Sequence, residues 1–206
     1  MLFIPAGSWK YWQGWAFLGV TFIPSTVAYL YFYKHDPQLL ERRLQSKEQV
    51  SEQKLLVRVT RPLFLAAFLI PGLDYRWGWS RTLLGGVPPW LTLLCQVLVL
   101  GGFLFVFWVL KVNSFASRTI QVEAGQKVIS TGPYAVVRHP LYSGSVVMWI
   151  AAPLALGSYF AWPAFALLVP FYVIRLLNEE KVLRRDLPGY PEYCQQTHFR
   201  LVPFVW

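Results

Sequence analysis

LYSGSVVMWIAAPLALGSYFAWPAFALLVPFYVI, residues 141–174, is 34 residues long and contains no Asp, Glu, Lys or Arg. As one helix it would measure about 51 Å, against a bilayer hydrocarbon core of about 30 Å. That is too long for one crossing and suits two. Gly157-Ser158 lies near its midpoint, so the stretch predicts a tight helical hairpin turning there, with Pro163 and Pro170 bending the return helix.

Moving outward, residues 11–33 and 90–110 run for 23 and 21 positions without a charge, each enough for a spanning helix. Residues 62–73 give only 12 uncharged positions. That segment crosses only if Arg58 and Arg61 extend their charged ends to the interface. Charge placement decides the question. With five crossings, residues 34–61, 111–140 and 175–206 share one side and hold 16 of the 19 Lys and Arg, leaving Lys10, Arg76 and Arg81 on the other. Without the short crossing the split is 10 to 9. The excess of basic residues on cytoplasmic loops favours five spans, the fourth and fifth forming the hairpin, with the C-terminal helical segment in the cytoplasm.

Composition agrees. Of 206 residues 55% are hydrophobic and 14% charged, and the mean hydropathy is +0.40; soluble domains carry about a quarter charged residues. The net charge of +9 is explained by topology and by anionic lipid headgroups rather than by nucleic acid, because the basic residues are dispersed and form no stripe. Cys95 lies in an apolar run and Cys194 in a polar tail, so both are expected to be free thiols. His35, His139 and His198 lack ligand spacing, so no metal site is expected. No cleavable signal peptide is apparent. The whole reads as a single all-α membrane domain, with residues 1–110 as scaffold spans and 111–206 as the half that carries chemistry. Residues 34–61 form a polar, amphipathic connector.

Two clusters stand out after residue 111. The first is Gly132-Pro133-Tyr134-Ala135-Val136-Val137-Arg138-His139-Pro140-Leu141-Tyr142-Ser143-Gly144. His139 precedes a proline and is biased to extended geometry, so a helix begins at Pro140 or Leu141, leaving Arg138 and His139 at its mouth on the membrane surface. Read blandly, this is a basic flank with an aromatic anchor. The second cluster is Arg175-Leu176-Leu177-Asn178-Glu179-Glu180. Arg175 and Glu179 share a helix face, which alone would be an ordinary surface ion pair. Adjacent carboxylates at the end of a basic-flanked span contribute little to orientation and suggest a bound cation or ammonium group. Glu180, one position round the helix, is assigned to solvent.

The Gly-x-Tyr-x-x-x-Arg-His-Pro-x-Tyr-x-Gly pattern resembles the signature of the isoprenylcysteine carboxyl methyltransferase family, as does Arg175-x-x-x-Glu179-Glu180-x-x-Leu183 followed by Tyr190, Tyr193, Arg200 and Pro203. Phospholipid N-methyltransferases share this C-terminal half. The resemblance covers about residues 115–206. It implies an S-adenosylmethionine-dependent methyltransferase acting on a lipophilic acceptor at the membrane, in the cell inner membrane if the host is prokaryotic. It further implies that Glu179 pairs with the donor, that His139, Pro140, Leu141 and Tyr142 line its pocket, and that Tyr134 packs beside it. Gln121 matches the family's upstream glutamine at a shorter spacing, and Gln126, Lys127, Val128 and Ile129 match a backbone-contacting segment by position. Arg175 matches the arginine that orients an anionic acceptor. No Gly-x-Gly-x-x-Gly unit opens a strand–helix pair, which leaves the membrane helices to build any nucleoside site. Two rivals stand beside this reading. One is a membrane NADPH-dependent reductase of the sterol type, which shares the Arg-His-Pro-x-Tyr turn; the other is a scaffold without catalysis.

Overall fold

A computed structural model describes residues 2–44, 51–123 and 125–206, with side chains at 51–55 excepted. Among these residues the regular structure is helical throughout. A short N-terminal helix α1 (Phe3–Ala6) is followed by α2 (Trp12–His35), α3 (Pro37–Leu44) and α4 (Ser51–Trp77). Then come a short α5 (Trp79–Leu84), α6 (Pro89–Val112), a 3-10 turn at Gly132–Ala135, α7 (Pro140–Ala155), α8 (Trp162–Ala166), α9 (Leu168–Asp186) and α10 (Tyr190–Gln196).

Among the described residues three helices are long and apolar enough to cross a membrane: Trp12–His35, Leu56–Trp77 and Pro89–Val112. The short second segment is thus part of a full-length helix. α2 buries only Gly14, Phe17 and Phe32 and turns Phe22, Ile23, Val27 and Leu30 outward. An apolar surface of that extent is unstable in water and suited to lipid. α7, at 16 residues, spans about 24 Å and falls short of the core thickness by itself.

The hairpin forms where the uncharged run predicts it. α7 opens on Pro140, whose missing N–H costs nothing at a helix start, and it ends at Leu156-Gly157, where Gly157 takes φ of 74°. The prolines act differently from expectation. Pro163 lies at the start of α8 and does not bend it. The break between α8 and α9 falls at Leu167, because Pro170 offers no N–H to the carbonyl of Ala166 and its ring crowds that oxygen. The expected helical connector is seen as α3 and the first turns of α4, and its residues 45–50 lie outside the described residues.

Small residues bring α6 and α7 together. A Cβ on Gly102 would meet the Met148 side chain at 2.4 Å, and one on Gly144 would meet Val106 at 2.9 Å and Phe105 at 3.0 Å. Dispersion between closely approaching helices is the available glue in an apolar solvent. At one end of the bundle Asp74 accepts bonds from the Ser80 backbone N–H (2.7 Å) and from the Ser80 and Ser158 hydroxyls, and the Tyr11 hydroxyl donates to the Leu156 carbonyl. At the other end the guanidinium of Arg42 donates to the Ser114 carbonyl (2.8 Å), joining α3 to the loop after α6.

Labelling across the membrane tests the sidedness. With Cys95 and Cys194 replaced by Ala, single cysteines at the exposed positions Glu41 and Thr82 should react with impermeant maleimide from opposite sides. Reaction from one side would remove the second crossing and the five-span arrangement with it.

Candidate active site

The Arg-His-Pro turn is held by the C-terminal tail. The Arg138 and His139 backbone N–H groups donate to the carbonyls of Phe199 (2.9 Å) and Arg200 (3.0 Å). Ser143 donates to the Leu201 carbonyl (2.7 Å), and Tyr193 to the Tyr134 carbonyl (2.6 Å). Upstream, Gly132 adopts φ of 58° to enter the 3-10 turn, a conformation costly for other residues. The two motifs are thereby locked together before any ligand is considered.

Behind the turn lies a buried charge cluster. Glu180 is 3% exposed and accepts from Arg138 Nε (2.7 Å) and His139 Nε2 (3.3 Å) on one oxygen and from Arg200 Nε (2.9 Å) on the other. A carboxylate only accepts, so the His139 proton sits on Nε2. Arg138 also donates to the carbonyls of Thr197 and His198, both at 3.0 Å. Burial alone would raise the Glu180 pKa. The hydrogen bonds from His139 and Arg200 and the nearby charge of Arg138 outweigh it and hold the group at about 2. The assignment of Glu180 to solvent is therefore corrected: adjacent helical positions point about 100° apart, and here the second carboxylate faces inward. Its cationic partners belong to the protein, so the carboxylate pair is no evidence for two ligand charges.

On the other side of the turn a cavity of about 730 Å³ opens. Of the residues singled out in the sequence, Gln121, Gln126, Lys127, Val128, Ile129, Tyr134, His139, Leu141, Tyr142, Arg175 and Glu179 all line it. Pro140 does not. It is fully buried behind the wall as the first residue of α7 and acts by fixing the direction of Leu141 and Tyr142. Gln121 arrives despite its shorter spacing through a local bridge: its amide donates to Glu123 Oε1 (2.7 Å), and Gln126 Oε1 accepts from the Glu123 N–H (2.9 Å).

Glu179 accepts a bond from the Tyr142 hydroxyl (2.7 Å). Arg175 donates from Nη2 to the Arg118 carbonyl (2.5 Å), which ties α9 to the loop after α6. The Tyr134 hydroxyl accepts from Asn113 (3.0 Å), and burial raises its pKa, so it remains neutral. Aromatic faces continue the wall: Tyr142 meets Tyr172 edge-on at 5.9 Å, and Tyr172 reaches Trp149 at 6.2 Å. α4 closes the side with residues including Thr60, Phe64 and Leu65. The sequence reading missed this wall, and also missed Arg43 and Arg118. Among the described residues no three His, Cys, Asp or Glu converge as a metal site, and both cysteines are free and buried.

Among the described residues the arrangement offers one carboxylate, several cations and aromatic faces in a space within the usual range for small-molecule sites. Among curated proteins the chain is similar to a Delta(14)-sterol reductase of Mus musculus, 27% identical over an alignment covering 57% of this chain and 31% of that protein. The chain spans about a third of the length of that relative. Residues 90–187, from the start of α6 to the end of α9, match the phospholipid methyltransferase family. That stretch carries the Arg-His-Pro turn, Arg175 and the carboxylate pair, and it is over this part, just under half of the chain, that the protein is similar to phospholipid methyltransferases.

Proposed function

We propose that this protein is an S-adenosylmethionine-dependent methyltransferase embedded in a membrane by five spans, its C-terminus cytoplasmic, with a lipophilic methyl acceptor that enters from the bilayer. The acceptor class includes isoprenylcysteine-like carboxylates, other lipids and thiols. The observation that carries this reading is the meeting of both motifs on one cavity in which Glu179 is the sole carboxylate among the described lining residues. The donor has an α-ammonium and ribose hydroxyls to satisfy Glu179, a sulfonium suited to the faces of Tyr142 and Tyr134, and a carboxylate suited to a basic wall. These residues fit it.

When bound, the donor supplies a methyl group on a cationic sulfur. The chain's own contribution is placement. Tyr142 orients Glu179. The stretch Gln126 to Ile129, with Gln121 and Leu141, frames one face, while Pro140 fixes the start of α7 and His139 sets the turn through Glu180. Arg175 is the residue assigned to the acceptor. Holding nucleophile and methyl in line accounts for much of the barrier lowering in such a transfer.

Replacing Glu179 by Gln keeps shape and removes the charge. Loss of a hydrogen bond to a charged group is worth about 1.5–3 kcal/mol, so calorimetry should show donor affinity falling roughly 10- to 150-fold. Unchanged affinity would remove Glu179 from the donor site. A second reading, an NADPH-dependent reductase, is favoured by the similarity to the sterol reductase and by a basic cavity that also suits phosphates. Binding of labelled S-adenosylmethionine beside labelled NADPH separates the two.

A further inference from the structure

The lining of the cavity is unbalanced in charge. Arg43, Arg61, Arg118, Lys127, Arg138 and Arg175 face it, against Glu179 alone among the described residues. Arg138 is compensated from behind by Glu180. Three of the remaining arginines come from separate elements: Arg43 from α3, Arg118 from the loop after α6 and Arg175 from α9. Backbone contacts draw the three elements together. The Arg118 N–H donates to the Arg42 carbonyl (3.4 Å), Arg43 Nη1 reaches the Ser117 carbonyl at 3.5 Å, and Arg175 holds the Arg118 carbonyl. Burial lowers the pKa of Arg43, and the like charge of Arg118 lowers it further, with Arg175 adding a smaller push in the same direction. Tyr172 lies within electrostatic reach of all three.

Like charges gathered at the edge of a membrane are costly unless something negative joins them. Even with Glu179 set against Arg175, no second carboxylate among the described lining residues faces Arg43 and Arg118. We propose that Arg43, Arg118 and Arg175 form a seat for an oxyanion, a carboxylate or phosphate group, on the molecule held in this cavity. The guanidinium fork suits that geometry, presenting paired N–H groups to paired oxygens. The seat adjoins the aromatic wall of Tyr172, Trp149 and Phe64, so the group it takes belongs to a ligand with an apolar portion lying along that wall. This makes Arg43, outside the family-matched stretch, and Arg118 determinants of acceptor choice. The assignment to an acceptor rests on the methyltransferase reading above, whereas the seat itself does not.

The test uses the full chain in detergent, with dihexanoyl phosphatidic acid as the anionic probe, dihexanoylglycerol as its neutral counterpart, and S-adenosylmethionine as a separate ligand. The variants are Arg118→Gln, at an exposed position where the fold is not at stake, and the pair Arg43→Gln with Arg118→Gln. Phosphatidic acid binding should weaken about 10-fold or more in each, with dihexanoylglycerol and S-adenosylmethionine unchanged within about twofold. Weakened S-adenosylmethionine binding with unchanged phosphatidic acid binding would keep the seat and assign it to the donor's carboxylate. Unchanged binding of both anions in Arg118→Gln would overturn the proposal. If the wild-type chain binds phosphatidic acid but no S-adenosylmethionine, the methyltransferase reading fails while the seat stands.

Discussion

Replacing Glu180 by Gln should lower the thermal midpoint of the detergent-solubilised protein by roughly 6–20 °C. The change leaves Arg138, 6% exposed, without its anionic partner. Removing one member of a buried ion pair costs about 3–5 kcal/mol, and for chains of 150–250 residues each kcal/mol shifts the midpoint by about 2–4 °C. The buried thiols of Cys95 and Cys194 give a convenient readout, because a thiol-reactive dye reports their exposure on unfolding. Replacing the exposed neighbour Lys181 by Ala should change stability by no more than about 0.5 kcal/mol. The pH dependence has a definite sign. Glu180 in the folded chain sits at about 2, below the ordinary value of about 4.3. Its contribution is complete above the unfolded value and is lost as pH falls through about 2. Between pH 5 and 8 the midpoint owes nothing to its titration. Between about pH 4 and 2 the wild-type midpoint should drop by an amount that Glu180→Gln lacks. A variant as stable as wild type would show the cluster to be dispensable for folding.

Arg175→Lys should insert normally and bind the methyl donor within about twofold of wild type, yet lose most methyl transfer. Lysine keeps the positive charge that topology requires but lacks the planar fork. Arg175 has one arm on the Arg118 carbonyl, which fixes the direction of the other N–H groups; an ammonium on a flexible stem cannot do both. With a charged hydrogen bond worth about 1.5–3 kcal/mol, turnover should fall roughly 10- to 150-fold. Turnover and donor affinity measured in one preparation decide it. Near-normal turnover would assign Arg175 to membrane anchoring, and loss of donor binding would move it into the donor's part of the cavity.

These expectations differ in how far the sequence alone reaches. The hairpin is legible because an uncharged run of 34 residues has few ways to satisfy its backbone in a bilayer, and Gly157 marks where it turns. The break at Leu167 was harder to read, since Pro170 acts four residues upstream of itself. α1 and α5, of four and six residues, have no periodicity to detect. Within the site, Tyr142 and Glu179 fall in recognisable motifs, and the fold adds a hydrogen bond between them that the motifs alone do not specify. Glu180 was misread because its partners Arg138 and Arg200 lie 42 and 20 positions away, a separation no helical spacing describes. Arg43 and Arg118 were hidden for another reason. Both fall among basic residues that the charge asymmetry of the loops already explains, and only the fold turns them toward a common space.

The cluster at Asp74 has a mechanical consequence. It joins the end of α4, the start of α5 and the tip of the hairpin through Ser80 and Ser158, at the end of the bundle away from the cavity. α4 is therefore anchored at one pole, while its opposite stretch, around Thr60 and Phe64, forms a cavity wall. Pro62 interrupts its hydrogen-bond ladder within that stretch. A rod pinned at one end and softened near the other is expected to yield by swinging rather than by sliding. On the methyltransferase reading proposed above, a bulky acceptor tail would be expected to enter by a pivot of α4 about that anchored end.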